Sequence, residues 1–214
     1  MPADAESRLR AAVDVAVRSL GPLAELDVPL GPLTTYRVGG SAAVLVRATG
    51  RSDLVAAVEA AQASGLPILP VGRGSNMLVA DAGFPGIAVS LVELPVAIDI
   101  ATETSITTVS AGASLPVVAR KTASAGLTGF EWAVGVPGSI GGAVRMNAGG
   151  HGSDMAASLV AATICDLAAG VTTERDLARL GLAYRHSALG SADVVVSARL
   201  ELALGDRELS LIHI

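Results

Sequence analysis

Apolar residues recur at helical spacing between Glu6 and Leu20 and stop at Gly21-Pro22, which predicts an N-terminal helix. Asp27 to Pro32 carries Pro and Gly and reads as a lead-in rather than an element. Ala43–Ala48 is a strand-like apolar run. Ser52 then stands where an N-cap belongs, ahead of a helix over Asp53–Ser64 that Gly65 ends. Ile68–Val71 is a short apolar strand stopping at Gly72. Gly86–Val92, Val96–Ile100 and Ser105–Ala111 follow as β-like runs with turn residues between them. Ser114 precedes a second helix that runs to Ala125 and ends at Gly126. Leu159–Asp166 and Val194–Leu204 read as later strands, with a short helix from Thr173 between them, Glu174 and Asp176 in its first turn. The order predicts an α+β fold in two lobes, roughly 30–100 and 101–204, behind an N-terminal segment 1–29.

Composition narrows the class. Hydrophobic residues make up 51% of the 214 positions and aromatics only 2%, and mean hydropathy is +0.57. The most apolar stretch, Ile87 to Ala101, is broken by Glu93, Pro95 and Asp99. No run of about 18 apolar residues is left to span a bilayer. Asp4, Glu6 and Asp14 stand where a signal peptide would need basic and then apolar residues, so the expectation is a soluble, cytoplasmic protein. Net charge is −5 and Lys121 is the only lysine. Nucleic acids and anionic membranes are held by clustered Lys and Arg, so neither is expected as a partner. A single cysteine, Cys165, allows no internal disulfide and no CxxC metal site. Its strand-like setting suits core packing.

Two loops carry candidate chemistry. In Val71-Gly72-Arg73-Gly74-Ser75-Asn76 a strand runs into Gly-x-Gly, but the third glycine of a Rossmann fingerprint is missing and apolar Met77-Leu78-Val79 follows instead of a helix. Backbone amides in such a loop can still cradle a phosphate as a nest, although a plain structural turn explains it as well. The second loop runs from Trp132 to Gly150 and is dense in glycine around Gly135-Val136-Pro137-Gly138-Ser139-Ile140-Gly141-Gly142. That density lets a backbone lie flat against a planar or phosphorylated ligand. Ser139–Asn147 also suits a short helix with its N-terminus toward an anion. A third element, Tyr184-Arg185-His186-Ser187, reads by itself as a solvated pair. Trp132 suits core packing or the flank of a planar ligand, Arg145 a phosphate or solvent, His151 a substrate contact or a plain loop position, and His186 solvent.

Thr35-Tyr36-Arg37-Val38-Gly39-Gly40, Gly72–Asn76, Gly135–Gly142 with Met146-Asn147-Ala148-Gly149, and Tyr184–Ser187 occur in an order and spacing that resemble the UDP-N-acetylenolpyruvoylglucosamine reductases, over roughly Leu30 to Leu204. The resemblance implies the two-lobed FAD-binding fold shared with vanillyl-alcohol oxidase and p-cresol methylhydroxylase. It implies that Gly72, Arg73, Gly74, Ser75 and Asn76 bind the FAD pyrophosphate. Gly135, Val136, Pro137, Gly138, Ser139, Gly141 and Gly142 would pass along pyrophosphate and flavin, and Asn147, Ala148 and Gly149 would extend that wall. Relatives of the fold with covalent flavin use a His or Cys near the cofactor. The first loop here has Arg73 and no His, which favours noncovalent FAD.

The same resemblance implies an enzyme of peptidoglycan precursor synthesis. NADPH gives a hydride to the flavin, which passes it to the enolpyruvyl ether of a UDP-sugar, with Arg185 stabilising the charge on the substrate carboxylate and Tyr184 lining its site. The family's proton-donating serine lies in a Gly-Ser-aromatic-aromatic-Lys-Asn-Pro motif, and a later glutamate assists it. Neither context occurs here, and Ser187, Glu201 and Glu208 do not replace them. The expectation is therefore a chain without its substrate-binding C-terminal domain, weak in FAD binding and inactive alone. Leu209–Ile214 matches the conceptual translation of a common sequencing-library transposon end, so 205–214 is read as a non-native tail. Two other readings stay open: an oxidase of the same fold, and a non-catalytic nucleotide-binding module. The oligomeric state is not legible.

Overall fold

The structure, a computed structural model, describes residues 2–208 and 210, and it divides into two compact units. The first comprises residues through Leu94 together with Asp166–Val171. The second comprises Pro95–Cys165 and the chain from Thr172 onward.

The first unit begins with α1 (Pro2–Leu20), four residues longer than its apolar spacing predicted. Leu9, Ala12, Val13, Ala16, Val17 and Leu20, spaced three and four apart, pack into one core with Ala57, Ala60 and Ala61 of α2 (Arg51–Ser64). The N-terminal segment is thus part of this unit and not a separate lead-in. Its stretch β1 (Glu25–Pro29) also pairs antiparallel with β2 (Ser41–Arg47). β2 in turn lies parallel to β4 (Phe84–Ser90), which lies parallel to β3 (Ile68–Val71), giving the order β1-β2-β4-β3. A register shift between Ala42 and Val44 bends β2. It explains why Ala42 and Leu45, three apart, share one apolar face while Val44 and Val46 share the other. Ser52 does not cap α2. The N-cap is Gly50, and Asp53 takes the exposed backbone donor instead, accepting from the Thr49 amide and hydroxyl, each at 2.8 Å. Gly65 ends the helix in the left-handed conformation, φ 71°, as predicted.

The second unit holds β5 (Ile98–Ala101), β6 (Ile106–Ser110), α3 (Leu115–Ser124), β7 (Leu127–Thr128), α4 (Ile140–Met146), β8 (Gly149–Gly150) and β9 (Ser153–Asp154). After them come β10 (Leu159–Asp166), β11 (Val171–Asp176), α5 (Leu177–Leu180), β12 (Asp193–Glu201) and β13 (Ala203–Leu204). Its main sheet has the order β11-β10-β12-β6-β5. Val109, Ile164, Ala198 and Leu200 from that sheet share a core with Val118 and Ala119 of α3 and with Ile140, Ala143 and Val144 of α4. The helix predicted from Thr173 is a strand. Asp166 Oδ1 accepts from the amides of Ala168 and Ala169, and Gly170 at φ 71° turns the chain back, so Val171-Thr172-Thr173 extends along β10. The helix starts only at Leu177, where Asp176 accepts from the Arg179 amide at 2.9 Å.

Of the tail, Gly205–Glu208 and Ser210 are described; Leu209 and 211–214 lie outside the described residues. The Ser210 hydroxyl is buried and donates to Glu131 at 2.7 Å. No described helix is long and apolar enough to cross a membrane.

Candidate functional site

The first glycine loop follows β3 without entering a helix, so the chain leaves the sheet with its amides uncommitted. Among the described residues, the N–H groups of Gly72, Arg73, Gly74, Ser75 and Asn76 have no protein acceptor, nor do the side chains of Ser75 and Asn76. Gly74 sits at φ 63°, and a Cβ there would collide with the Leu33 carbonyl and the Thr34 Cα. Only glycine both adopts that angle and tolerates that approach. Consecutive unpaired amides around a left-handed residue form an anion-binding concavity.

The Thr35–Gly40 stretch is brought to the same place. The Thr35 amide donates to the Gly74 carbonyl at 3.1 Å, and the Gly40 amide to the Ala80 carbonyl at 2.9 Å. Gly39 lies against Val79 so closely that a Cβ would meet the Val79 backbone. Two motifs more than thirty residues apart therefore form one surface of the first unit.

In the second unit the long glycine loop is anchored differently. The helix expected near Ser139 exists as α4, capped by the Ser139 hydroxyl, which accepts from the Gly142 amide at 3.4 Å. The first two amides of the helix itself are not available to an anion. The Ile140 amide donates to the Ala113 carbonyl at 2.9 Å and the Gly141 amide to the Ala111 carbonyl at 2.8 Å, so its first donors are spent inside the fold. The reason is packing: Gly141 lies against Ala111, where a Cβ would come within 2.9 Å of the alanine methyl, and that closeness lets the backbones bond. The amides of Gly138 and Ser139, one step earlier, have no acceptor among the described residues. Gly138 supplies the turn at φ 122°.

Asn147 ends α4 in the left-handed conformation, φ 39°, and is 5% exposed. Its side-chain amide donates to Asp154 Oδ2 at 2.9 Å and to the Ala183 carbonyl at 3.1 Å, while its Oδ1 accepts from the Ala156 amide at 2.9 Å. Both amide hydrogens are thus committed, leaving no side-chain donor for a cofactor. The amides of Asn147 and Ala148 are committed too, to Val144 and Ala143. Gly149 pairs with Asp154 across β8 and β9.

Tyr184 and Arg185 occupy the tip of a tight turn closed by two bonds of 3.1 Å between Ala183 and His186. Arg185 adopts φ 53°, an uncommon conformation for a residue with a Cβ. It is exposed, as is Tyr184, and its guanidinium carbon lies 5.7 Å from the tyrosine ring centre. Its Nη2 is 3.4 Å from the Gly149 carbonyl. The Tyr-Arg turn and the far end of the long glycine loop therefore meet within this unit. Ser187 does not face outward: its hydroxyl is buried and donates to the Arg145 carbonyl at 2.6 Å. Arg145 itself donates through Nη1 to the Gly190 carbonyl at 2.7 Å. Trp132 is a core residue packed edge-on against Phe130 at 5.2 Å, with no partner for its Nε1 among the described residues. The His151 ring lies beside Gly135, 3.3 Å from where a Cβ would project.

The segment after the turn is tied down by Arg175, whose guanidinium grips Asp193 through two bonds of 2.9 and 3.0 Å, while the Gly190 amide donates to the same carboxylate. Burial by itself raises the Asp193 pKa. The bonds from Arg175 and Gly190, with Arg145 nearby, outweigh it and hold the carboxyl below its ordinary value. A depressed folded pKa means stability that is present above the unfolded value, near 3.9, and lost as pH falls through the folded one. The melting-temperature deficit of Asp193→Asn is expected to be full at pH 7 and to shrink below about pH 4. A deficit independent of pH would show that the carboxylate's charge contributes nothing.

Asp154, which joins the Asn147 network and caps the following 3-10 turn through the Ala157 amide, was missed by sequence reasoning. The signal available was weak: an Asp three residues ahead of Ala157, in the N-cap position.

Among known proteins, the FAD-binding domain family matches residues 42–174, which include both glycine loops but not Tyr184–Ser187. The UDP-N-acetylenolpyruvoylglucosamine reductase of Synechococcus sp. (strain RCC307) is 43% identical over 180 residues, 84% of this chain and 59% of that protein. The reductase of the same name from Rubrobacter xylanophilus is 39% identical over 197 residues, 91% of this chain and 65% of that protein. Among solved structures, UDP-N-acetylenolpyruvylglucosamine reductase from Thermus caldophilus matches with a TM-score of 0.72 at 34% identity, covering 89% of this chain and 66% of that one. The chain spans about three fifths of the length of the curated relatives it matches.

Proposed function

Because this chain belongs to the FAD-binding domain family, we propose that it is the flavin-holding part of a cytoplasmic UDP-N-acetylenolpyruvoylglucosamine reductase. That enzyme reduces the enolpyruvyl ether of a UDP-sugar with electrons from NADPH, in the making of peptidoglycan precursor. The observation that carries the reading is the row of five amides from Gly72 to Asn76 without acceptors among the described residues, on a backbone that only glycine at position 74 can follow. Such a row fits the oxygens of a diphosphate. Within the second unit the amides of Gly138 and Ser139, with Gly135, Val136 and Pro137 leading into them, have no acceptor among the described residues and suit a phosphorylated or planar ligand. Gly141 serves by close packing against Ala111, and the Gly142 amide is taken by the Ser139 hydroxyl.

When bound, the flavin supplies the hydride transfer. This chain's residues bind, orient and polarise. Addition of hydride to the substrate double bond drives negative charge toward its carboxylate. The Arg185 guanidinium, always charged and shaped to bond two oxygens at once, stabilises that charge. Tyr184 beside it offers a ring face and a hydroxyl to the substrate.

The test uses a reductase carrying the full length of its relatives and built on this chain. It is expected to purify yellow, to oxidise NADPH only when the enolpyruvyl substrate is added, and to react slowly with oxygen. A colourless protein would point to the nucleotide-binding module. Rapid reoxidation by oxygen with indifference to NADPH would point to an oxidase of the same fold.

A further inference from the structure

The Tyr184-Arg185 turn has almost no packing of its own. Residues 183–186 are all exposed, Arg185 is in a strained conformation, and apart from the neighbouring Tyr184 ring its guanidinium has, among the described residues, one long hydrogen bond, to Gly149. Something else must fix it. We propose that Asn147 is a positioning residue for Arg185, acting through the bond from its side-chain amide to the Ala183 carbonyl. The proposal rests on the reading that Arg185 meets the substrate.

Asn147 suits this task. It is buried, and the structure holds it in place by its second donor to Asp154 and its acceptor to Ala156. A rigid buried amide can therefore hold an exposed turn. The Ala183 carbonyl already closes that turn by accepting from the His186 amide, so the bond from Asn147 falls on the atom that defines the turn's geometry. Asn147 also stands two residues before Gly149, whose carbonyl the guanidinium approaches. One residue thus ties the end of the glycine loop to the base of the arginine turn. Ser187 adds a second tether on the other side, through its bond to Arg145. Asparagine is specifically required, because it alone at this size donates twice and accepts once.

The chemistry offers a test that separates positioning from general stability. Asn147→Asp keeps size and acceptor but loses both donors, and it places a carboxylate against Asp154. Adding Asp154→Asn turns that link around: the new amide donates to the carboxylate at position 147, and its oxygen still serves the Ala157 amide. The bond to Ala183 is not restored. In the 214-residue chain, amide exchange at Ala183 and His186 is expected to rise about five- to tenfold in both variants, the effect of losing one hydrogen bond. In N147D the melting temperature should fall and exchange at core amides such as Val109 and Ala198 should rise, and both should recover in the double variant.

Restored protection at Ala183 and His186 in the double variant would overturn the proposal, as would unchanged exchange there in N147D. In the full-length reductase both variants should lower kcat, with little change in KM for NADPH. Wild-type kcat in a double variant whose turn stays loose would also overturn it. Arg185→Ala run beside them tests the functional reading separately: if it leaves turnover intact, that reading falls while the exchange result on the turn stands.

Discussion

Arg185→Ala in the full-length reductase is expected to lower kcat by two to three orders of magnitude, about 10²–10³, with NADPH-to-flavin reduction left near its normal rate. The size follows from losing one charged donor at a position where charge develops only in the transition state. Interactions made in the ground state as well would change KM instead. The split between half-reactions is the sharper part of the prediction. Arg185 is exposed in this chain and, among the described residues, touches only the exposed Tyr184 ring and, at 3.4 Å, the Gly149 carbonyl, so its removal leaves no buried partner unpaired and should not disturb the fold. Arg185→Lys should recover only part of the loss, because a single ammonium lacks the planar fork that bonds two carboxylate oxygens. Stopped-flow measurement of both half-reactions checks this. Equal slowing of both, or an unchanged kcat, would remove Arg185 from substrate reduction.

The second large effect is expected at Gly74. Gly74→Val should weaken FAD at least about 100-fold, so that the full-length protein purifies largely without flavin. Losing two hydrogen bonds to a charged phosphate group costs roughly 3 kcal/mol or more, which corresponds to that factor. The cause is twofold: φ 63° is strained for valine, and its side chain would run into the Leu33 carbonyl. Gly65→Ala supplies the control. Gly65 also has a left-handed angle, φ 71°, but nothing lies within 4 Å of where its Cβ would go. That variant should cost about 1 kcal/mol of stability and leave flavin affinity unchanged. Equal loss of affinity in both would mean that the glycines act through stability alone, and the row of amides would no longer explain binding.

Several readings from sequence failed for one shared reason: they judged a residue by its neighbours in the chain. Ser52 has the chemistry of an N-cap, but Gly50 is extended (φ −159°) and starts the helix earlier. Glu174 and Asp176 look like the first turn of a helix. A strand forms there because a reverse turn delivers Val171–Asp176 to the edge of a waiting sheet. Ser139 does cap a helix, yet the donors behind it were claimed by Ala111 and Ala113, nearly thirty residues upstream. The propensities were sound locally and lost to partners that no window contains.

What the sequence determined by itself are the features set by short-range rules. The spacing in α1, the glycine ending α2, the extent of β10 and the absence of a helix after Gly72 each depend on residues a few positions apart. So does the need for glycine, since backbone angle is a property of one residue. The tertiary structure alone decided which polar groups remain free. Asn147 and Ser187 read as site residues or their neighbours and turn out to be bonded inside the fold, whereas the amides of Gly72 to Asn76 are left without acceptors among the described residues. A hydrogen-bonding group binds a ligand only if the fold has not already satisfied it, and that balance is struck by contacts across the chain, after the local rules have been obeyed.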